Sequence, residues 1–137
     1  MLVKYIDHTA DTGFIIHAKS LKELFTVAAE EMFKIICPDD TIKPKTKKRL
    51  TVSGDTKEEL LVNWLSELNY HFETQRILLA KVDTLEFENR ALAATIYVDN
   101  IDLERHSLET EIKAVTYHQL YLKKEEGLWK AQVIFDL

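Results

Sequence analysis

The 137-residue sequence is long enough for one hydrophobic core, and 46% of its residues are hydrophobic, so we expect a single domain spanning residues 1–137. Its formal net charge of −5 at pH 7 disfavours nonspecific binding to nucleic acid, because such binding requires Lys and Arg to displace the counterions around phosphates. The only cysteine, Cys37, excludes an internal disulfide and a zinc site built from several thiolates.

The N-terminal segment carries polar residues too early for a secretion signal. Lys4, Asp7, His8 and Asp11 interrupt the apolar run that a signal peptide requires. No later stretch of the sequence approaches the ~20 apolar residues that cross a bilayer. We therefore expect a cytoplasmic protein that does not associate with a membrane.

The first elements are predicted to be two strands and a helix. Residues 2–7 and 12–19 have the pattern of strands, separated by the polar segment HTAD. Ser20 and Glu23 then have the spacing of a capping box, and apolar residues recur at helical spacing after them. The sequence therefore predicts a helix over residues 21–36.

A basic segment follows this helix. The predicted loop from Asp39 to Arg49 contains KPKTKKR, and an alternating strand is predicted near residues 50–52. This loop either contacts RNA phosphates or an acidic partner, or is solvated without a role, and the sequence does not decide between these alternatives. Asp55 and Glu58 form a second candidate capping box, which predicts a second helix with an apolar stripe over residues 60–72.

The second half of the chain has the pattern of strands. Because the two helices do not alternate regularly with the strands, we predict an α+β fold and not a doubly wound one. The expected architecture is a single-domain layered sandwich, with two helices packed on a largely antiparallel or mixed sheet of about seven strands. The predicted strands are residues 78–87, 91–99, 111–122 and 129–136, with turns at residues 88–90 and 125–127.

Acidic residues lie near both ends of the chain. If the strands that carry them are neighbours, Asp11, Asp136 and the carbonyl or carboxylate of Leu137 would converge as oxygen ligands for Ca²⁺ or Mg²⁺. The simpler interpretation of the same residues is that Asp11 stabilises a turn and Asp136 is an exposed strand-end residue. Three oxygen donors would leave most of a calcium coordination shell to water or a partner.

Lys113 lies in the segment EIKAVTYH, whose alternation predicts an interior strand with two half-apolar faces. An ammonium held between apolar neighbours would need a carboxylate or phosphate partner to offset its desolvation. The alternative is a solvent-facing Lys113 paired with Glu111. The five histidines show no metal-ligand spacing, and no nucleophile elbow or phosphate-binding glycine loop is present, so the residues alone do not indicate an enzyme.

Four blocks of the sequence resemble the archease family: DHTADTGF (residues 7–14), ELLVNWLSELNYHF (residues 59–72), EIKAVTYH (residues 111–118) and the closing VIFDL (residues 133–137). The resemblance extends over essentially the whole chain. The first and third blocks are specific at this spacing, and the order of the blocks argues against a chance match.

This resemblance implies a cytoplasmic accessory protein of the GTP-dependent RNA-splicing ligase, which joins tRNA halves and repairs RNA after guanylylation of its own histidine. An archease is not itself the enzyme; it promotes that guanylylation and so permits many turnovers. The resemblance also implies that Asp11, Asp136 and the backbone oxygen of Leu137 hold Ca²⁺, with Mg²⁺ or Mn²⁺ as alternatives, and that Lys113 is functionally important. The acidic net charge indicates that such a protein meets RNA indirectly, through the ligase.

Two other functions are consistent with the sequence. One is a chaperone-like module that keeps RNA-processing enzymes, such as a tRNA methyltransferase, soluble and specific. The other is a metal-dependent phosphate-ester hydrolase using Asp11 and Asp136. It has little support, because the two carboxylates are not accompanied by a clear general base.

Overall fold

Two antiparallel sheets enclose both helices in the computed structural model, which describes residues 1–7 and 10–137. Each helix contacts strands of both sheets, so the layers follow the order sheet, helices, sheet. The apolar side chains that line these contacts form one hydrophobic core. In chain order the elements within the described residues are β1 (Leu2–Asp7), β2 (Asp11–Ala18), α1 (Leu21–Ile36), β3 (Thr46–Ser53), α2 (Lys57–Gln75), β4 (Ile77–Glu88), β5 (Ala91–Asn100), β6 (Ala114–Glu125) and β7 (Leu128–Asp136).

The strands are divided between a four-stranded sheet in the order β1-β2-β7-β6 and a three-stranded sheet in the order β3-β5-β4. All neighbouring strands in both sheets are antiparallel. The predicted α+β sandwich of two helices and seven strands is therefore confirmed. The division of the strands into two sheets is a feature that the sequence analysis did not predict.

The helix caps explain where both helices begin. The Ser20 hydroxyl accepts a hydrogen bond from the Glu23 amide at 3.1 Å, so the predicted start of α1 is confirmed. In α2 the cap is Thr56, whose hydroxyl accepts from the Glu59 amide at 3.0 Å. The prediction of Asp55 as the cap is thus wrong by one residue, because the adjacent Thr56 has the same capping chemistry.

Two predicted strands begin elsewhere in the structure. β3 begins at Thr46, so the end of the basic segment, residues 46–49, belongs to a strand and not to the predicted loop. β6 begins at Ala114 and lies at the edge of its sheet, so the prediction of an interior strand starting at Glu111 is wrong. The residue before Lys113, Ile112, is buried in the core and its carbonyl accepts a hydrogen bond from helix α2, which keeps this segment out of the strand ladder.

β6 also contains a large irregularity that disrupts its pairing with β7. Thr116 pairs with Ile134, whereas the next paired residue, Tyr121, faces Gln132. The residues between them form a bulge in which Gln119 has a φ of 52°. The bulge leaves Tyr117 59% exposed at the edge of the four-stranded sheet.

Neither helix within residues 1–7 and 10–137 has the length and apolar character required to span a membrane. His8 and Thr9, which form part of the predicted HTAD segment, lie outside the described residues.

Candidate functional site

The register of β2 and β7 places Asp11 directly opposite Asp136. The two residues are Cα partners at one end of the pairing between these strands. On the same strands, Phe14 and Phe135 are fully buried and their ring centroids are 5.3 Å apart, which identifies the face that packs on the helices. Because side chains alternate along a strand, Asp11 and Asp136 lie on the opposite face, away from the helices.

Both aspartates therefore share one face of one sheet. Side chains that are directly opposite on the same face have Cβ atoms roughly 5 Å apart. Their carboxylates are thus within reach of one common ion, although more than 120 residues separate Asp11 from Asp136 in the sequence. The structure brings together the two acidic residues that the sequence analysis singled out.

Backbone hydrogen bonds place Leu137 and Lys113 beside this pair. The Leu137 amide donates to the carbonyl of Ala10 at 3.2 Å, and the Lys113 amide donates to the carbonyl of Asp136 at 2.8 Å. Asp136 is also the Cα partner of Ala114, the first residue of β6. Four predicted site residues, from three separate segments of the chain, therefore meet at one end of the four-stranded sheet.

The side chain of Lys113 is exposed. It forms no salt bridge with Glu111 or with any other carboxylate among the described residues. The prediction of an ammonium held between apolar neighbours is therefore wrong, and the alternative of a solvent-facing Lys113 is confirmed, but without the expected pair with Glu111. The backbone before Lys113 is held in place by α2, because the side-chain amide of Asn69 donates to the carbonyl of the buried Ile112 at 2.9 Å.

The oxygen donors at this site suit a hard divalent cation. Oδ1 of Asp11 is buried and has no hydrogen-bond partner in the described part of the chain, which is costly unless a further group satisfies it. Two carboxylates and the carbonyl of Leu137 are ligands that Ca²⁺, Mg²⁺ and Mn²⁺ accept. No three Asp, Glu, His or Cys side chains within residues 1–7 and 10–137 cluster closely enough to hold a metal by themselves. Because Ca²⁺ takes six to eight oxygens, water or a partner would have to complete its shell.

A second polar cluster, centred on Asp99, was not found from the sequence. Asp99 is 1% exposed and accepts hydrogen bonds from Arg105 at 2.7 Å and 3.1 Å, from the Lys43 amide at 2.9 Å, and from Nε2 of His106 at 3.1 Å. The hydrogen bonds from Arg105 are the main reason why the pKa of Asp99 lies well below its ordinary value. The cluster links the segment before β3 to the end of β5 and to the segment that follows β5. Its buried carboxylate is not accessible to a substrate.

The histidines that the structure describes do not form a site. His106 is buried in the Asp99 cluster, where its Nδ1 accepts a hydrogen bond from the Asp102 amide at 3.0 Å. His71 contacts Glu67 one helical turn earlier at 3.1 Å, and His118 is exposed in the bulge of β6. His8, which lies beside Asp7 in the sequence, is outside the described residues.

A cleft of about 550 Å³ lies between β3 and α2, at a different place from the acidic pair. Its lining includes Asn63, Glu67 and Tyr70 on the helix and Thr51 and Ser53 on the strand. None of the predicted site residues lines it, and its side chains do not include a nucleophile activated by a neighbouring base.

Comparison with known proteins gives one consistent result. The model of the Archease protein family (MTH1598/TM1083) matches residues 4–137. The protein archease of Methanosarcina barkeri is 40% identical, and that of Methanosarcina mazei is 37% identical; each match covers 98% of this chain and 94% of the relative.

Solved structures agree with the sequence comparison. The solution structure of Methanobacterium thermoautotrophicum protein 1598 is similar with a TM-score of 0.83 at 32% identity, covering 98% of both chains. A crystal structure of an archease from Thermotoga maritima, described as a possible chaperone, has a TM-score of 0.64 at 24% identity and shares the fold. The chain therefore belongs to the archease family.

Proposed function

We propose that this chain is an accessory protein of the GTP-dependent RNA-splicing ligase. In the cytoplasm it promotes guanylylation of the ligase and so permits multiple turnover in tRNA splicing or RNA repair. It performs no ligation of its own. Asp11, Asp136 and the carbonyl of Leu137 hold a divalent cation, preferably Ca²⁺, and Lys113 acts beside them.

The observation that carries this proposal is the pairing of Asp11 with Asp136, with one buried oxygen of Asp11 lacking a partner in the described chain. An unpartnered carboxylate oxygen is unfavourable in the isolated protein and becomes favourable when it binds a cation. The donor set is also incomplete for Ca²⁺, so a phosphate or carboxylate of a partner would fill the remaining positions.

In this mechanism the residues of the chain present charge to a phosphate-bearing site on the ligase. A bound divalent cation would supply electrostatic stabilisation of phosphoryl charge. Lys113 offers an exposed ammonium without a salt bridge among the described residues, which is free to contact a triphosphate oxygen. Asn69 holds the backbone immediately before Lys113, so that the direction of approach of this side chain is fixed by α2.

The test is multiple-turnover RNA ligation by the purified ligase with Asp11→Ala, Asp136→Ala or Lys113→Ala protein. We expect each variant to lose most of the stimulation. In a single turnover of ligase that is already guanylylated, the rate with each variant should equal the rate with the wild-type protein. Asp40→Ala and Lys57→Ala remove exposed charges of the same signs elsewhere and should stimulate normally. Full stimulation by all three site variants, with folding verified, would contradict the proposal.

A second candidate function is a chaperone-like role toward RNA-processing enzymes such as a tRNA methyltransferase. It is favoured by the description of the Thermotoga maritima archease as a possible chaperone. This function requires suppression of partner aggregation, measured by light scattering during heating. Suppression that is unchanged in Asp11→Ala and in the presence of a chelator would separate this role from the metal-dependent one.

A further inference from the structure

The basic residues of β3 form one edge of a charged sheet surface. Leu50 and Val52 are buried against the helices, so alternation places Lys47 and Arg49 on the opposite, outer face of the three-stranded sheet. Both residues are exposed. The basic segment of the sequence is thus an ordered strand that presents alternate cations in one direction.

An aromatic side chain lies at the centre of this surface. Tyr97 on β5 is the Cα partner of Lys47 on one side and of Lys81 on the other. The Lys47 and Lys81 ammonium groups are 5.6 Å and 5.1 Å from the centroid of the Tyr97 ring. On the next outward-facing position, Arg49 donates to the hydroxyl of Thr95 at 3.5 Å. We call Lys47, Arg49, Lys81 and Tyr97 the basic face.

In the part of the chain that the structure describes, the cations of the basic face lack a carboxylate partner. Lys47, Arg49 and Lys81 form no salt bridge with a carboxylate among residues 1–7 and 10–137. Glu86 and Glu88 occupy the far end of the same outer face, opposite Ala93 and Ala91. In a chain with a net charge of −5, this local excess of positive charge requires an explanation.

The four-stranded sheet provides an internal comparison. There, Lys123 and Lys130 lie 5.1 Å and 5.9 Å from the centroid of Tyr121, in the same arrangement of one tyrosine and two lysines. That arrangement is neutralised in part, because Glu125 pairs with Lys123 at 3.1 Å and both lysines lower the pKa of Glu125. The basic face lacks such a carboxylate partner in the described chain.

We propose that the basic face binds single-stranded RNA directly. Lys47, Arg49 and Lys81 contact phosphates, and a base stacks on Tyr97 after displacing one of the two ammonium groups from its ring. Sheet surfaces that combine aromatic platforms with flanking cations bind single strands in this way, since every base has a stackable face. An acidic peptide would use the cations but would gain nothing from an aromatic ring between them, so the chemistry of the surface favours RNA.

The experiment uses the full-length protein and a fluorescent oligonucleotide of about 12 uridines, with binding measured by anisotropy at about 50 mM salt. Lys47→Ala/Lys81→Ala should weaken binding by at least about tenfold and reduce the slope of log affinity against log salt by roughly 1.4, because each lost phosphate contact contributes about 0.7. Tyr97→Leu should weaken binding by about tenfold, because a stacked base is lost, while leaving the salt slope unchanged.

The matched control is Lys123→Ala/Lys130→Ala, which removes the same charge from the neutralised arrangement and should bind like the wild type. An equal loss in this control, or no loss in Lys47→Ala/Lys81→Ala, would overturn the proposal. So would tighter binding of a poly-glutamate peptide, which would assign the face to an acidic protein, or equal binding of an RNA duplex without dependence on Tyr97. The basic face shares no residue with the Asp11–Asp136 pair, so these outcomes are independent of ligase stimulation.

Discussion

Asp99 is almost completely enclosed, and its charge is compensated by Arg105 at 2.7 Å and by His106 at 3.1 Å. Since its folded pKa lies below its ordinary value of 3.8, the carboxylate stabilises the fold fully above about pH 4 and loses this contribution as the pH falls toward the folded pKa. We expect Asp99→Asn to reduce the free energy of unfolding at pH 7 by about 3 kcal/mol, because it leaves Arg105 and His106 without their ionised partner.

Urea denaturation at a series of pH values tests this expectation. The wild type should lose stability steeply from pH 4 downward, and Asp99→Asn should show a smaller loss over the same interval. Asp83→Asn removes an exposed aspartate and should keep the wild-type pH profile. If Asp99→Asn retained the full acid sensitivity of the wild type, this cluster would not be the source of that sensitivity.

The ionisation of the Tyr5 hydroxyl is a second prediction about a single residue, and it can be followed by absorbance. Partial desolvation of its hydroxyl, together with donation of that hydroxyl to the Glu31 carboxylate, raises the pKa of Tyr5 to about 12 from an ordinary value of 10.0. In an absorbance titration, one of the five tyrosines should therefore ionise well after the normal range. Tyr5→Phe should remove this component, whereas Tyr117→Phe, which replaces a tyrosine of similar exposure, should leave it in place. Persistence of the component in Tyr5→Phe would contradict the assignment.

Individual polar residues were the least predictable part of the molecule. Asp99 accepts hydrogen bonds from Arg105 and His106, which lie beyond the end of its own strand, and from the amide of the distant Lys43, and no periodic pattern connects these positions. Asp11 and Asp136 were singled out as candidates, because acidic residues near strand ends are visible in a sequence. Their distance from each other was not visible, since it depends on which strands pair.

The elements themselves followed closely from local patterns. The apolar periodicity and capping signals of α1 predicted its limits correctly. The cap of α2 is one residue later than predicted, at Thr56 and not at Asp55. β6 was mispredicted because alternation suggested pairing from Glu111, whereas burial of Ile112 against α2 overrides that tendency. Local patterns thus predict elements well, except where a tertiary contact competes with the strand ladder.

The contact between α2 and the segment before β6 makes a testable connection between elements. Asn69→Ala would leave the buried carbonyl of Ile112 without a donor, which costs about 1–3 kcal/mol and loosens the residues around Lys113. We expect faster hydrogen exchange of the Lys113 amide, which is bound to the carbonyl of Asp136, by roughly tenfold or more.

Asn63→Ala is the matched control for this exchange measurement. Asn63 lies on the same helix, and its side-chain amide donates to the carbonyl of Ser53 at 2.7 Å, on the side of β3. This variant should leave exchange at Lys113 unchanged. Equal acceleration in both variants would indicate a general loosening of α2, and would remove Asn69 from a positioning role.

At the scale of the whole molecule, the two sheets and the enclosed helices decide which distant residues meet. β2 and β7 are adjacent in the four-stranded sheet, and their antiparallel register fixes Asp11 beside Asp136. A sequence can indicate strands and their inward faces, but the choice of neighbours depends on packing across the whole core. From the residues alone, Asp11 and Asp136 were predicted to meet only if the strands that carry them are neighbours. The sheet order meets this condition.

This arrangement predicts that a divalent cation stabilises the folded chain, because the ion would bind only when β2 and β7 are paired. Above the dissociation constant, each tenfold increase in free Ca²⁺ should add about 1.4 kcal/mol, which corresponds to a rise in Tm of roughly 5 °C for a chain of this size. Asp11→Asn and Asp136→Asn should each abolish the dependence on Ca²⁺, whereas Asp40→Asn, an exposed aspartate outside the site, should retain it. A Tm that is independent of Ca²⁺ in the wild type, measured by calorimetry after removal of metal with a chelator, would mean that the acidic pair holds no cation in the free protein.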